Sequence, residues 1–224
     1  MNRPKVIINC AMSVDGKIAA PSGKQVQISS DEDMSRVYKL RHECDAVLVG
    51  INTVLQDDPK LTVKKKYVSS PKQPIRVVLD ATCRTPENAL VVNDKTKTFI
   101  MVNDSVSCSK SYGDHVSVVP IASRNGLLDL EFMLDYLYSQ GIRLLLVEGG
   151  GTVIWNFIKQ RFVDELFVYI GSMIIGGKNT PTMARGERFE NGFEFIRLQL
   201  KNVQKIGDGL LLHYTLKQTK NNVE

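Results

Sequence analysis

The chain has few of the residues that build metal centres or disulfide frameworks. Its 224 residues include four cysteines with no C-x-x-C pair, and three histidines, none of them at a metal-ligand spacing from a cysteine. The cysteines are Cys10, Cys44, Cys83 and Cys108. We therefore predict reduced, structural thiols and no bound metal.

Long apolar runs are also missing. The apolar segment at residues 6–12 is shorter than a membrane span and is interrupted by the polar Asn9, so it fits neither a signal peptide nor a transmembrane helix. On these grounds the sequence predicts a soluble, cytoplasmic protein with no membrane partner.

The signatures of several enzyme classes do not occur. Without G-x-S-x-G, H-E-x-x-H or G-x-x-x-x-G-K-[ST], hydrolase, zincin and P-loop interpretations lack support. The formal net charge of +5 suits an anionic partner, but an aromatic content of 7% and the lack of a long basic run disfavour nucleic acid. Small phosphorylated ligands fit better.

What the sequence does contain is an alternation of strand and helix patterns. Apolar strand patterns at residues 6–12, 46–49, 74–80, 98–102 and 144–147 alternate with helical patterns, and residues 163–175 and 193–216 then form long strands separated by turns. The prediction is an α/β fold with a mainly parallel central sheet flanked by helices and an antiparallel C-terminal hairpin. One domain over residues 1–217 with a polar tail at 218–224 is the simplest account, although the length also allows two small domains.

The most informative stretch is an apolar strand pattern that ends in Glu148, three glycines and Thr152. A strand, a glycine turn and a helix together bind pyrophosphate, because glycines let backbone N–H groups approach an anion at a helix N-terminus. A tight turn without a ligand explains a bare triple glycine at least as well. Glu148, however, adds a carboxylate where the ligand crevice of an α/β sheet opens.

Polar residues also follow the first two predicted strands, at the sheet edge where α/β proteins bind ligands. Asp15 and Lys17 either contact a polar substrate or are solvated residues of a turn. Thr53 and Asp57 either contact a ligand or begin and end a short helix.

Three cations have the same two interpretations. Arg41 and Lys64 are either solvent-exposed charges or ligands of a phosphate group. After another predicted strand, Thr82 and Arg84 stand where the 2′-phosphate of NADP could be held, although a turn alone would also explain them.

Several motifs occur in a fixed order and spacing: Asn9-x-x-Met12-Ser13-x-Asp15-Gly16-Lys17, then Asp45-x-x-x-x-Gly50-x-x-Thr53-Val54-Leu55-x-Asp57-Asp58-Pro59-x-Leu61-Thr62-Val63, then Glu148-Gly149-Gly150-Gly151. Over nearly the whole chain this set resembles the pyrimidine reductase family of riboflavin biosynthesis. The resemblance implies a dihydrofolate reductase-like fold, NADPH as cofactor with NADH also possible, and a homodimer.

Bacterial members of that family are usually fused to a zinc deaminase with an H-x-E and P-C-x-x-C signature, and this sequence has neither motif. The chain is thus similar to the stand-alone archaeal and fungal enzymes. That likeness implies the substrate 2,5-diamino-6-ribosylamino-4(3H)-pyrimidinone 5′-phosphate, whose ribosyl side chain becomes ribityl.

The family's ligand contacts transfer to matching positions. Substrate contacts are expected at Asn9, Lys17, Arg41, Leu61, Lys64 and Glu148. Beside Arg84, cofactor contacts are expected at Ala11, Thr53, Asp57, Asp80, Ala81, Thr82, Cys83, Val147, Gly149, Gly150, Gly151 and Thr152.

The implied chemistry is hydride transfer from C4 of NADPH to C1′ of the substrate. The reaction also needs a proton, for which Asp15 and Glu148 are the candidate general acids, beside solvent or the substrate itself. The alternatives are a reductase of the deaminated pyrimidine, a dihydrofolate reductase-like enzyme, and a non-catalytic nucleotide-binding protein.

Overall fold

The structure, a computed structural model, describes residues 2–124, 126–187 and 195–217. The polar tail predicted at 218–224 and positions 193 and 194 of the predicted last strands lie outside these residues. The helices are α1 (Asp31–Glu43), α2 (Ile51–Asp57), α3 (Leu130–Ser139) and α4 (Gly151–Lys159), with a 3₁₀ turn at Leu90–Val92. The strands are β1 (Lys5–Ser13), β2 (Ala46–Gly50), β3 (Ile75–Leu79), β4 (Thr98–Asn103), β5 (Val116–Ile121), β6 (Ser123–Arg124), β7 (Leu127–Leu128), β8 (Leu144–Gly149), β9 (Glu165–Gly171), β10 (Leu198–Ile206) and β11 (Gly209–Leu216).

Nine of these strands form one sheet in the order β10-β11-β9-β1-β8-β2-β3-β4-β5, and β6 pairs with β7 separately. The pairs from β9 through β1 and β8 to β5 are parallel, whereas β11 runs antiparallel to both β9 and β10. The predicted fold class is therefore confirmed.

Helices cover both faces of the central strands, which is why those strands are apolar throughout rather than alternating. On one face Ile8, Leu48 and Leu145 pack in a cluster that includes residues of α3 and α4. On the other face Ile7, Val47 and Leu146 pack with α2 and with the C-terminal end of α1. Successive residues of a strand alternate between these two clusters.

The C-terminal part differs in detail from the sequence prediction. The strand expected at 163–175 ends at Gly171, and the chain then leaves the sheet; further on, Thr182 pairs with Lys17 in an isolated bridge. Within the described ranges, no helix is long and apolar enough to cross a membrane.

The four cysteines do not all remain thiols. Cys83 and Cys108 are joined in a disulfide, so the prediction of reduced thiols is wrong for this pair. Cys10 and Cys44 are free and buried, and burial raises the pKa of each thiol to about 12. Two cysteines 25 positions apart carried no sequence signal of pairing, because strand packing brings them together.

Candidate active site

A cavity of about 1360 Å³ opens at the carboxyl edge of β1, β8, β2 and β3. Single small-molecule sites usually occupy roughly 300–1,000 Å³, so this volume suits two ligands side by side. The loops that line it follow neighbouring parallel strands, whose carboxyl ends meet at this edge.

An ion pair joins the last turn of α1 to the end of β8. Arg41 Nε and Nη2 each donate to one carboxyl oxygen of Glu148 at 2.7 Å, and the two side chains are 14% and 9% exposed. Burial alone would lower the pKa of Arg41, but the charge and hydrogen bonds of Glu148, with help from Tyr38, outweigh it and raise the pKa. Both residues line the cavity.

Two cations lie near one aromatic ring at this end of the cavity. Tyr38 stacks on Tyr67 with ring centroids 4.6 Å apart, and its own centroid is 5.1 Å from Arg41 Cζ and 5.3 Å from Lys64 Nζ. Lys64 is exposed, and Tyr38 and Lys64 both line the cavity. Two positive charges around a rigid ring can hold a phosphate group.

The glycine turn connects β8 to α4 as predicted. Gly149 has a φ of +138°, a conformation that L side chains rarely adopt, and the Gly150 N–H donates to Thr53 Oγ1 at 3.2 Å. No side chain caps α4, so the first N–H groups of the helix are not engaged by a capping residue. Gly149, Gly150, Gly151 and Thr152 line the cavity, where these donors suit a pyrophosphate.

A third group of lining residues follows β3. Ala81, Thr82 and Arg84 line the cavity, and Arg84 Nη2 donates to Asn52 Oδ1 at 3.1 Å. Arg84 is exposed. Adjacent strands lie about 4.8 Å apart, so β3 stands roughly 10 Å from β8 across β2, and this cation is well separated from the glycine turn.

Among the remaining predicted residues in the cavity, only Asp57 has an ionisable side chain. Asn9, Ala11, Thr53, Asp57 and Leu61 all line it. Burial raises the pKa of Asp57, and the N–H of Gln25, which donates to Asp57 Oδ1 at 3.1 Å, opposes that shift only in part.

Asp15, predicted as a candidate proton donor, does not line the cavity. Its carboxylate accepts hydrogen bonds from Ser13 Oγ at 2.6 Å, Ile175 N at 3.0 Å and Gly176 N at 2.7 Å, which together lower its pKa to about 2. This environment favours the ionised form, whereas a proton donor needs the neutral form. The role predicted for Asp15 therefore does not fit the structure, in which it fastens the loop after β9 to the loop after β1.

Four more predicted ligand residues lie outside the cavity lining. Asp80 is fully buried and accepts from Thr85 N and Oγ1 at 2.6 and 2.7 Å, Cys83 is in the disulfide, and Val147 belongs to the core. Lys17 forms the bridge with Thr182. Apart from Val147, which lies within β8, these residues belong to loops that carry lining residues.

Sequence reasoning also missed residues that the fold brings to the cavity. Tyr38 lies three positions before Arg41 on α1, so helical spacing could have revealed it. Arg185 has no such signal, because it reaches the cavity only through the bond from its N–H to Gly151 O, at 3.1 Å. Gln25 and Gln27 line the cavity from the loop before α1.

Comparisons with known proteins agree with this geometry. The profile of the RibD C-terminal domain matches residues 4–212. The 2,5-diamino-6-ribosylamino-4(3H)-pyrimidinone 5′-phosphate reductase of Methanothermobacter thermautotrophicus is 41% identical over 217 residues, which are 96% of this chain and 99% of that protein. The reductase of the same name from Archaeoglobus fulgidus is 39% identical, over 92% of this chain and 95% of its own length.

Among solved structures, a diaminohydroxyphosphoribosylaminopyrimidine deaminase/5-amino-6-(5-phosphoribosylamino)uracil reductase from Thermotoga maritima matches with a TM-score of 0.80 and 25% identity. The match covers 96% of this chain and 57% of that one, so the chain spans little more than half of that two-activity protein.

Proposed function

The chain belongs to the RibD C-terminal domain family, and from that premise we propose that it is an NADPH-dependent oxidoreductase of riboflavin biosynthesis. Its proposed substrate is 2,5-diamino-6-ribosylamino-4(3H)-pyrimidinone 5′-phosphate, whose ribosyl side chain it reduces to ribityl. The observation that carries the proposal is one cavity that holds the glycine turn at one place and the Arg41 and Lys64 cations at another. Both of these binding elements suit phosphate groups, and one cavity serves both.

The residues present fit a nicotinamide dinucleotide. The uncapped N-terminus of α4 with Gly149, Gly150 and Thr152 would hold the pyrophosphate, and Thr82 with Arg84 would hold a 2′-phosphate on the adenosine ribose. The 2′-phosphate contact would favour NADPH over NADH. When bound, the cofactor supplies the hydride that reduces C1′ of the substrate in its open-chain imine form.

The protein's own contribution is binding and orientation. Lys64 and Arg41 hold the substrate phosphate beside Tyr38, while Glu148 accepts hydrogen bonds from the pyrimidine. Holding two anionic ligands in reacting geometry removes much of the entropic barrier to hydride transfer. Because both oxygens of Glu148 already accept from Arg41, we assign Glu148 to orienting the substrate as a carboxylate and assign the required proton to solvent.

The proposed place of this reduction is before deamination of the pyrimidine ring. The two archaeal relatives that carry this substrate in their names match this chain over nearly their whole length. The Thermotoga protein, named for reduction of the deaminated compound, is longer and less similar.

The test is to incubate the purified protein with NADPH and the diamino compound, with the deaminated compound in parallel, and to follow the loss of reduced-nicotinamide absorbance. Faster oxidation with the diamino compound supports the proposal. Preference for the deaminated compound would move the enzyme after deamination. If NADPH is oxidised with neither compound, the protein would instead be a dihydrofolate reductase-like enzyme or a nucleotide-binding protein without activity.

Two neighbouring lysines provide a matched check on the phosphate contact. Lys64 lines the cavity, whereas Lys65 is also exposed and does not line it. Lys64→Met should raise the KM for the pyrimidine phosphate about tenfold, the effect of roughly 1.4 kcal/mol of lost binding. Lys65→Met should leave that KM unchanged.

A further inference from the structure

A buried polar network lies behind the substrate end of the cavity, on the α1 face of the sheet. Arg36 Nε and Nη2 approach Asp33 Oδ1 at 2.8 and 2.7 Å, and Arg36 Nη2 also donates to Asn9 Oδ1 at 2.7 Å. Asp33 is 1% exposed and Asn9 7% exposed. Asn9 lines the cavity, whereas Arg36 and Asp33 do not.

This network fixes which way the Asn9 amide points. A guanidinium can only donate hydrogen bonds, so the atom of Asn9 that meets Arg36 is its oxygen. The nitrogen of the Asn9 side-chain amide then lies on the side of the amide group away from this oxygen. Within the described residues, no protein group accepts a hydrogen bond from Asn9 Nδ2, while Asn9 itself faces the cavity. Its two N–H groups are therefore available to a bound ligand.

Glu148 stands beside Asn9 on the neighbouring strand. Ile8 of β1 pairs with Val147 of β8, so the residues that follow, Asn9 and Glu148, continue along adjacent parallel strands. Neighbouring strands lie about 4.8 Å apart, so the two side chains start from neighbouring positions of the sheet. Both side chains turn to the α1 face, where arginines of that one helix hold them: Arg36 holds Asn9, and Arg41 holds Glu148.

With Asn9 held by Arg36 and Glu148 held by Arg41, a hydrogen-bond donor lies next to an acceptor. Asn9 presents N–H groups, and the Glu148 carboxylate can accept further hydrogen bonds because each of its oxygens has a second lone pair. A ring edge that carries a carbonyl oxygen beside an N–H, as a pyrimidinone does, complements this pair.

We propose that Arg36, anchored by Asp33, is a positioning residue that fixes the Asn9 amide as a hydrogen-bond donor to the carbonyl oxygen of the pyrimidinone, beside Glu148 as acceptor for the ring N–H. The inference rests on the proposed function, since it assigns the pyrimidine ring to this part of the cavity. It adds a role for two residues that never touch the substrate.

The test is a double-mutant cycle between Arg36→Lys and Asn9→Ala, with kcat and KM measured separately for the pyrimidine phosphate and for NADPH. Lysine keeps a charge beside the buried Asp33 but lacks the fork that also reaches Asn9. Each single variant should lower kcat/KM for the pyrimidine about tenfold, the loss of one hydrogen bond, with the KM for NADPH unchanged. The double variant should be no worse than Asn9→Ala, because Arg36 acts through Asn9.

Losses that multiply in the double variant would overturn the proposal, since Arg36 would then act independently of Asn9. Lys39→Arg, a conservative change at an exposed position of the same helix, is the matched control and should change nothing.

Asn9→Asp keeps the proposal open to refutation if Arg36→Lys does not fold. Aspartate retains the size and the acceptor that Arg36 binds but has no N–H groups to donate. This variant should lose at least tenfold in kcat/KM, and wild-type turnover in it would contradict the inference. Wild-type turnover is measured first. If the wild type reduces neither pyrimidine, the proposed function fails and the inference fails with it. If the wild type is active and the variants are unaffected, only the inference is refuted.

Discussion

Single side chains of α1 hold the polar groups of the cavity in place. Arg41 and Glu148 form two parallel hydrogen bonds in a site where each side chain is less than 15% exposed. A buried pair of this kind stabilises little compared with apolar residues, but removing one partner leaves a buried charge unpaired. The pair is therefore better understood as an orienting device than as a source of stability.

Glu148→Gln should lower the free energy of unfolding by roughly 3 kcal/mol, because Arg41 remains buried without its counter-ion. The double variant Arg41→Met/Glu148→Leu should regain most of that stability but not turnover, because it lacks both proposed substrate contacts. Urea unfolding and NADPH oxidation measure the two effects. As a control, Lys72→Gln breaks an ion pair with Asp45 in which Lys72 is 55% exposed, and it should cost less than about 1 kcal/mol. A double variant no more stable than Glu148→Gln would contradict the argument.

Asp15→Asn should make the stability of the fold less dependent on pH in the acidic range. The folded-state pKa of Asp15, about 2, lies below the unfolded value near 3.9, so its ionised form stabilises the fold above about pH 4, and this contribution is lost as the pH falls through about 2. The melting temperature of the variant should lie below that of the wild type by a constant amount from about pH 7 to pH 5, and the gap should close below about pH 4. Thermal melts across this range check it, with Asp114→Asn at an exposed position as control.

That same variant also tests the chemistry. If Asp15 only fastens the loops, kcat at neutral pH should fall far less than the roughly 10²-fold or more expected for loss of a general acid.

Among the elements, the junction of β8 and α4 depends on close backbone packing. A Cβ on Gly151 would overlap the carbonyl oxygen of Thr182 and would lie 3.1 Å from Arg185 Cβ. The segment that carries Arg185 thus reaches the cavity only because residue 151 has no side chain. On Gly150, by contrast, a Cβ would meet only the side-chain oxygen of Thr53, at 3.3 Å.

Gly151→Ala should destabilise the protein by about 1–3 kcal/mol, because a backbone carbonyl must shift to make room. It should also weaken NADPH binding by displacing the segment that contains Arg185. Gly150→Ala is the matched substitution one residue earlier and should cost less stability, since a threonine side chain can rotate. Calorimetric unfolding and fluorescence titration with NADPH measure the two effects, and equal destabilisation by both variants would refute the packing argument.

In the molecule as a whole, the outer hairpin of the sheet carries apolar side chains that are exposed among the described residues. Leu200, Val203 and Leu210 are 51%, 50% and 44% exposed, and the pairing of β10 with β11 places them on one face. Helices α3 and α4 cover this face of the sheet farther in, where Ile8 and Val168 are buried. We propose that a second copy of this chain packs here, which agrees with the homodimer expected from the family.

Light scattering after size exclusion should then give twice the chain mass of 25.1 kDa. Val203→Glu should shift the protein toward the monomer, because a charge on the buried face of an interface is costly. Gln204→Glu, exposed on the opposite face of the same strand, should leave the mass unchanged. A monomeric wild type, or a dimer that tolerates Val203→Glu, would contradict this assignment.

By itself the sequence determined the order of strands and helices, the parallel core with its antiparallel hairpin, and the glycine turn at the end of β8. Those features follow from local periodicity, because a residue's burial in a strand or helix repeats with the element's own geometry. The family resemblance also indicated Arg41, Lys64, Thr53 and Glu148, all of which line the cavity.

Only the tertiary structure decided which polar residues face the cavity and which support its walls. Asp15, Asp80 and Cys83 stood in the same loops as true lining residues, yet their side chains turn toward backbone N–H groups, a threonine and a second cysteine. Tyr67, Arg185 and the contact from Arg36 to Asn9 depend on partners 27 or more positions away in sequence. Strand register and helix packing set such contacts, and no local pattern of residues encodes them.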